Sequence, residues 1–176
     1  QRQEEIVKAN FFLDGSWLAR HLDLARQIRD DGHELSNHGY SHRNMSELTR
    51  VQATAEIVKT EQLLQQLNVD NRLFAPPSGD YDDTTVQIAH EHNLRTLMWT
   101  LDTGDWKRPS AETIVQRIIP RLEGGALILM HPTEPTSEAL GTLIREIKNK
   151  QYTLGTVSEL LSPARIDTVE KDPLFW

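Results

Sequence analysis

The sequence predicts an α/β fold of parallel strands alternating with outer helices, and three observations predict it. Short apolar stretches alternate with longer segments of helical periodicity, and the connections between them are short. The residues with chemical character fall repeatedly just after the strand stretches, where β/α folds build their sites. Six strand segments can be read, fewer than the eight of a standard closed barrel. The expected architecture is therefore a barrel, short of the standard eight strands, or a doubly wound sheet.

In chain order, Gln1–Lys8 reads as the tail of a helix and Asn10–Leu13 as a short buried strand. Ser16–Asp30 is expected to be helical, because Trp17, Leu18, His21, Leu22, Leu24, Ala25 and Ile28 recur at helical spacing and Gly32 follows. Strand Glu34–Ser36 precedes a histidine-rich loop. Glu47–Leu67 follows as a long helix, with Leu48, Val51, Ala55, Val58, Leu63, Leu64 and Leu67 as its apolar face. Strand Leu73–Phe74 enters Ala75-Pro76-Pro77-Ser78-Gly79, where the prolines and glycine force a turn. Helix Asp83–His92, strand Thr96–Leu101, helix Ala111–Ile119 capped by Ser110, and apolar strand Ala126–Met130 come next. Helix Ser137–Lys148, strand Tyr152–Leu154 and helix Val157–Leu161 complete one domain over 1–162. The tail 163–176 is polar and expected to pack loosely.

At 176 residues the chain can bury one substantial core. Its formal net charge of -7 argues against a nucleic-acid partner or an anionic membrane surface, and a neutral substrate fits better. The absence of cysteine excludes disulfides and thiolate metal sites. No apolar run reaches the roughly 18 residues a membrane span needs. No signal segment stands at Gln1, and the chain reads as a fragment or processed form.

The chemistry centres on Gly32-His33-Glu34-Leu35-Ser36-Asn37-His38-Gly39-Tyr40-Ser41-His42. His38 and His42 lie four positions apart in a strand-to-helix loop, and such a loop can turn two imidazoles toward one ion. By spacing alone such a pair also arises by chance and sits solvated. Asp102 and Asp105 can equally be turn residues, His131 before Pro132 a strand end, and Trp106 a core residue. Their joint placement after four separate strands is the stronger signal.

The histidine stretch resembles the metal motif of the polysaccharide deacetylases, the NodB-homology domain of carbohydrate esterase family four. Phe74-Ala75-Pro76-Pro77-Ser78-Gly79 resembles that family's arginine–proline turn, Asp105-Trp106 its aspartate–tryptophan motif, and Leu127-Ile128-Leu129-Met130-His131 its leucine–histidine strand. Asn10-Phe11-Phe12-Leu13, with Gly15 and Trp17, resembles the family's second strand. The resemblance implies a distorted, incomplete (β/α) barrel with its site residues around one cleft. It implies hydrolysis of N-acetyl groups from amino sugars of a polymer such as peptidoglycan or chitin. His38 and His42 would bind a divalent metal (zinc, with cobalt or nickel as alternatives) that activates water and polarises the amide carbonyl. His131 would be the general acid, oriented by Asp105. The Ser78 N–H would hold the oxyanion, and Pro77, Trp106 and Leu129 would line the substrate pocket. His33 would be structural.

Two departures qualify this. The family's first motif, a paired aspartate supplying the base and the carboxylate ligand, is missing, and no replacement is evident in the sequence. Ala75 stands where the family has an arginine. The 176 residues are therefore expected to bind metal weakly or not at all, and to be inactive as they stand. The alternative is a non-catalytic glycan-binding or structural relative acting in the cell envelope or sporulation. Either reading implies a bacterial protein, exported or envelope-associated. A missing first strand would leave a sheet edge through which copies could pair.

Overall fold

The computed structural model describes residues 7–162, which fall into two compact units that divide between Met98 and Trp99. In the unit that begins at Lys8, four parallel strands run in the order β1 (Asn10–Leu13), β2 (Glu34–Asn37), β3 (Leu73–Phe74) and β4 (Arg95–Thr96). β1 and β2 pair in register from Asn10 opposite Glu34 to Leu13 opposite Asn37. Successive connections carry α1 (Gly15–Leu18) and α2 (Leu22–Asp30), then α3 (Arg50–Gln66), then α4 (Asp83–Glu91). Phe74, Met45, Ile57, Ile88 and Leu94 make one core cluster, and Leu18, Ala25, Leu35, Leu64 and Leu67 another. Asn71 closes the entry to β3, exchanging side-chain bonds with both backbone groups of Leu73.

Two expectations change in this unit. The helix predicted over Ser16–Asp30 is two helices: α1 ends after Leu18, and His21 (φ -136°, ψ 38°) leaves helical geometry before α2. Apolar spacing carries through this corner because Trp17 and Leu18 of α1 and Leu22, Ala25 and Ile28 of α2 pack into one cluster, while Leu24 is exposed. The face of α3 is also rotated from the predicted one. Val51 is 81% exposed, and the buried stripe is Ala53, Glu56, Ile57, Thr60 and Leu64. Two of its members are polar because they hold the histidine loop, so apolar periodicity alone misplaces it. A capping box of Thr49 and Gln52 starts the helix at Arg50 rather than Glu47.

In the unit that begins at Trp99, β5 (Leu101–Asp102) pairs in parallel with β6 (Ile128–Leu129). Helices α5 (Ala111–Ile118), capped by Ser110, and α6 (Glu134–Asn149), capped by Thr133, pack through Ile114, Ile118, Ala139 and Leu143. The strand expected over Thr96–Leu101 is broken. Leu97 N–H still bonds Phe74 beside β3, whereas Thr100 and Leu101 N–H both turn to the Leu127 carbonyl. Tyr152–Leu154 is not a strand. Gln151 takes a left-handed φ of 65° after α6, and Tyr152 N–H is used to close that helix on Ile147. Helix α7 (Val157–Leu160) follows. The expectations for residues 1–6 and 163–176 lie outside the described residues. Both sheets are parallel, and among the described residues no closed barrel forms.

Candidate functional site

The loop after β2 is fastened at its backbone. His38 N–H donates to Leu13 O (3.1 Å), Gly15 N–H to Gly39 O (2.9 Å) and Ser16 N–H to Tyr40 O (2.8 Å). From α3, the buried Glu56 carboxylate accepts Tyr40 N–H, Ser41 N–H and the Ser41 hydroxyl at 2.7–2.9 Å. Thr60 Oγ1 donates to Gly39 O at 2.8 Å. So clamped, the chain holds His42 at a φ of 57°, a left-handed conformation that non-glycine residues avoid. The His38 and His42 rings meet edge to face, with centroids 5.1 Å apart.

His38 Nδ1 lies 2.7 Å from the Ala75 carbonyl. A carbonyl only accepts, so Nδ1 carries the proton and Nε2 offers its lone pair, the tautomer a metal ligand needs. Ala75, whose side chain is buried, therefore serves through its backbone.

Asp14, directly after β1, is a residue that sequence reasoning missed. Its ligand oxygen and those nitrogens of His38 and His42 all lie within 4.8 Å of one another, and among the described residues no other acidic or imidazole group joins them. The Asp14 Oδ1 atom is buried without a hydrogen-bond partner. An orphaned buried acceptor costs roughly 1–3 kcal/mol, and a cation at this point would satisfy it. Two imidazoles and one carboxylate form the donor set that zinc and its neighbours accept, so the residues present fit a divalent metal. The expectation that no replacement for the family's carboxylate is evident did not weigh this residue, which the structure places beside both histidines. The available signal was Asp14-Gly15 ending a strand beside the histidine loop.

Gly15 makes the approach feasible. A Cβ there would stand 2.3 Å from the Tyr40 ring and 2.4 Å from Thr60 Oγ1. Gly15→Ala is expected to destabilise the chain by about 1–3 kcal/mol through overpacking, read as a lower urea midpoint at unchanged slope.

The second candidate group lies in the unit beginning at Trp99. Asp105, fully buried, opens a short 3₁₀ turn after β5, and His131 follows β6. Asp105 Oδ1 accepts from His131 Nδ1 at 2.8 Å, and Oδ2 accepts from His131 N–H and from Thr136 Oγ1. Burial alone would raise the Asp105 carboxyl. The bonds from Thr136 and from the His131 backbone and ring, with the imidazole charge, outweigh it and hold it below the usual carboxylate range. The ionised carboxylate fixes the proton on Nδ1, which leaves Nε2 of the half-buried ring for proton transfer.

Ser78 is exposed at a φ of 56°, and Pro77 is buried with Cγ 3.3 Å from where a Cβ on Gly39 would stand. Leu129 is half-buried in β6. Trp106 is 59% exposed rather than core, with Lys107 Nζ 4.7 Å over its ring. His33 Nδ1 accepts Ala9 N–H and its ring edges Phe11, a structural role. Among the described residues no helix is long and apolar enough to cross a membrane.

The described residues thus present a two-histidine, one-carboxylate group in one unit and an Asp–His pair in the other, each following parallel strands. The chain belongs to the polysaccharide deacetylase family, whose model matches residues 3–97. It is 45% identical over 165 residues to the uncharacterised protein YlxY of Bacillus subtilis, covering 93% of this chain and 52% of that protein. It is 30% identical to a peptidoglycan-N-acetylglucosamine deacetylase of Bacillus cereus, over 90% of this chain and 60% of that one. Among solved structures it superposes on a CE4 family pseudoenzyme from Bacillus anthracis with a TM-score of 0.86 at 42% identity, covering 89% and 56% of the two chains. A mutant of that pseudoenzyme with restored enzymatic activity matches with a TM-score of 0.87 at 41% identity, over 89% and 58%. The chain thus spans about half the length of the first of these relatives. Its fold is that of the family: α/β with parallel sheets and, among the described residues, no closed barrel, consistent with a distorted, incomplete barrel.

Proposed function

We propose that this chain is the carbohydrate-facing part of a cell-envelope protein that binds an N-acetylated amino-sugar polymer, of the peptidoglycan type, without hydrolysing it. One observation carries the reading: Ala75, buried and meeting His38 Nδ1 through its carbonyl, stands where the family has an arginine, so no guanidinium is supplied there to orient a catalytic base. The likeness to a pseudoenzyme supports the same reading. The exposed indole of Trp106, directly after Asp105, gives a flat apolar face on which a sugar ring can stack. Leu129, half-buried in β6 of the same unit, would add an apolar contact for the acetamido methyl.

A second reading is hydrolysis by the whole protein, and the intact Asp105–His131 pair favours it. There the bound metal, zinc or alternatively cobalt or nickel, would supply Lewis-acid polarisation of the acetyl carbonyl. His131 Nε2 would deliver a proton to the leaving nitrogen, and Asp105 would hold the ring for that transfer.

Acetate release from N-acetylglucosamine oligomers and from peptidoglycan, with each of the three metals, separates the two. The 176-residue chain is expected to release none above buffer. Repeated turnover that disappears in His131→Ala would replace the binding reading with the hydrolytic one.

A further inference from the structure

We infer that Asp14 is the third protein ligand of a divalent-cation site with His38 and His42. This chain then holds its own metal through a carboxylate outside the family's paired-aspartate motif. The inference rests on the reading of the two histidines as ligands and extends it to a residue that the resemblance does not assign. Asp14 ends the stretch Asn10–Leu13, which resembles the family's second strand.

Four features of the structure bear on it. The three ligand atoms lie within 4.8 Å of one another. Asp14 Oδ1 is buried without a partner, and the residue, although it sits at the N-cap of α1, makes no side-chain capping bond. A short polar side chain at that place ordinarily turns back onto the helix start; this one keeps an oxygen for the two imidazoles. The backbone around it is tied to the histidine loop on both sides, through His38 N–H to Leu13 O and Gly15 N–H to Gly39 O. The distance between carboxylate and imidazoles is thus set by main-chain bonds, before any ion binds, and Gly15 leaves no slack against Tyr40 and Thr60. Finally, the Ala75 carbonyl fixes the His38 tautomer that presents Nε2.

The exposed His42 leaves one side of the group open to solvent. Three protein ligands with one open position will take a water or the oxygen of an acetamido group.

The test is calorimetric titration of zinc chloride into the metal-free 176-residue chain, its Asp14→Asn variant and its His38→Ala variant, with the melting temperature of each followed with and without zinc. The wild type is expected to bind one equivalent with a rise in melting temperature. Asp14→Asn is expected to bind about 100-fold more weakly while its metal-free form melts no lower than wild type, since the oxygen it changes has no partner to lose. Cobalt bound in place of zinc should lose its visible ligand-field bands in the same variant. Equal zinc affinity in Asp14→Asn and wild type overturns the assignment, as does a wild type that binds no zinc. A metal-free Asp14→Asn that melts well below wild type makes Asp14 structural and overturns it too. None of these results bears on the glycan reading, whose readout is oligosaccharide binding.

Discussion

Replacing Glu56 by alanine is expected to lower the folding free energy by about 2–4 kcal/mol and to weaken zinc binding roughly 10- to 100-fold. The carboxylate is buried on α3 and accepts three hydrogen bonds from Tyr40 and Ser41, which lie between the two histidines. Bonds to a charged acceptor contribute about 1.5–3 kcal/mol each, and their loss leaves donors unpaired in a partly buried turn. The turn also holds His42 in its left-handed conformation, so releasing it lets His42 relax away from His38. Glu56→Gln discriminates further. Its amide oxygen can keep the two N–H donors while the NH₂ donates to the Ser41 hydroxyl, with the charge lost, so a loss smaller than that of Glu56→Ala is expected. Urea unfolding gives the first quantity and zinc titration the second. A Glu56→Ala chain with unchanged midpoint and unchanged zinc affinity would show that the loop holds without the clamp.

Asp105→Ala is expected to cost about 3–5 kcal/mol, the range for removing one partner of a buried charged network. It leaves the His131 ring N–H, the His131 backbone N–H and the Thr136 hydroxyl without their acceptor. The native carboxyl is held below its ordinary value of 3.8, despite burial, by those same donors. Its contribution to stability is therefore present above pH 3.8 and lost as the pH falls through the lower folded value. Glu61 acts with the opposite sign. Burial raises it above 4.5, against hydrogen bonds from Asn37 and Asn71 that lower it. Its contribution is present below 4.5 and lost as the pH rises through the folded value. Acid unfolding of the wild type should thus be steeper below pH 3.8 than that of Asp105→Asn, and Glu61→Gln should not remove that difference. Superimposable acid limbs for wild type and Asp105→Asn would place the acid sensitivity elsewhere.

How far the sequence could be read follows from what each residue depends on. The parallel β/α pattern was legible because Asn10–Leu13, Glu34–Ser36 and Leu73–Phe74 are short segments containing apolar residues between helical segments, and the structure has a strand at all three. The resemblance brought out His38 with His42 and Asp105 with His131, and the structure sets each pair side by side. What stayed hidden depends on tertiary contact. Asp14 gains meaning only because β1 and β2 lie in register, so that residues 24 positions apart in sequence meet at one strand end. Glu56 and Thr60 lie off the apolar face marked by Leu48, Val51, Ala55 and Val58, and no spacing rule links them to the loop they hold. Thr136 sits one turn into α6, and no spacing rule connects it to Asp105. Tyr152–Leu154 looked like a strand because composition does not register that a helix end has already taken its N–H.

The central claim, that this chain recognises an acetylated amino-sugar polymer, is tested most directly by NMR titration of the isotope-labelled chain with N-acetylglucosamine tetramer in the presence of zinc. The account predicts saturable shifts at the Trp106 indole N–H and the His131 imidazole. It predicts weaker shifts with the unacetylated glucosamine tetramer, and loss of binding in Trp106→Ala at unchanged melting temperature, since that indole is already exposed. No saturable change at millimolar tetramer, or equal responses to the acetylated and unacetylated sugars, would contradict it.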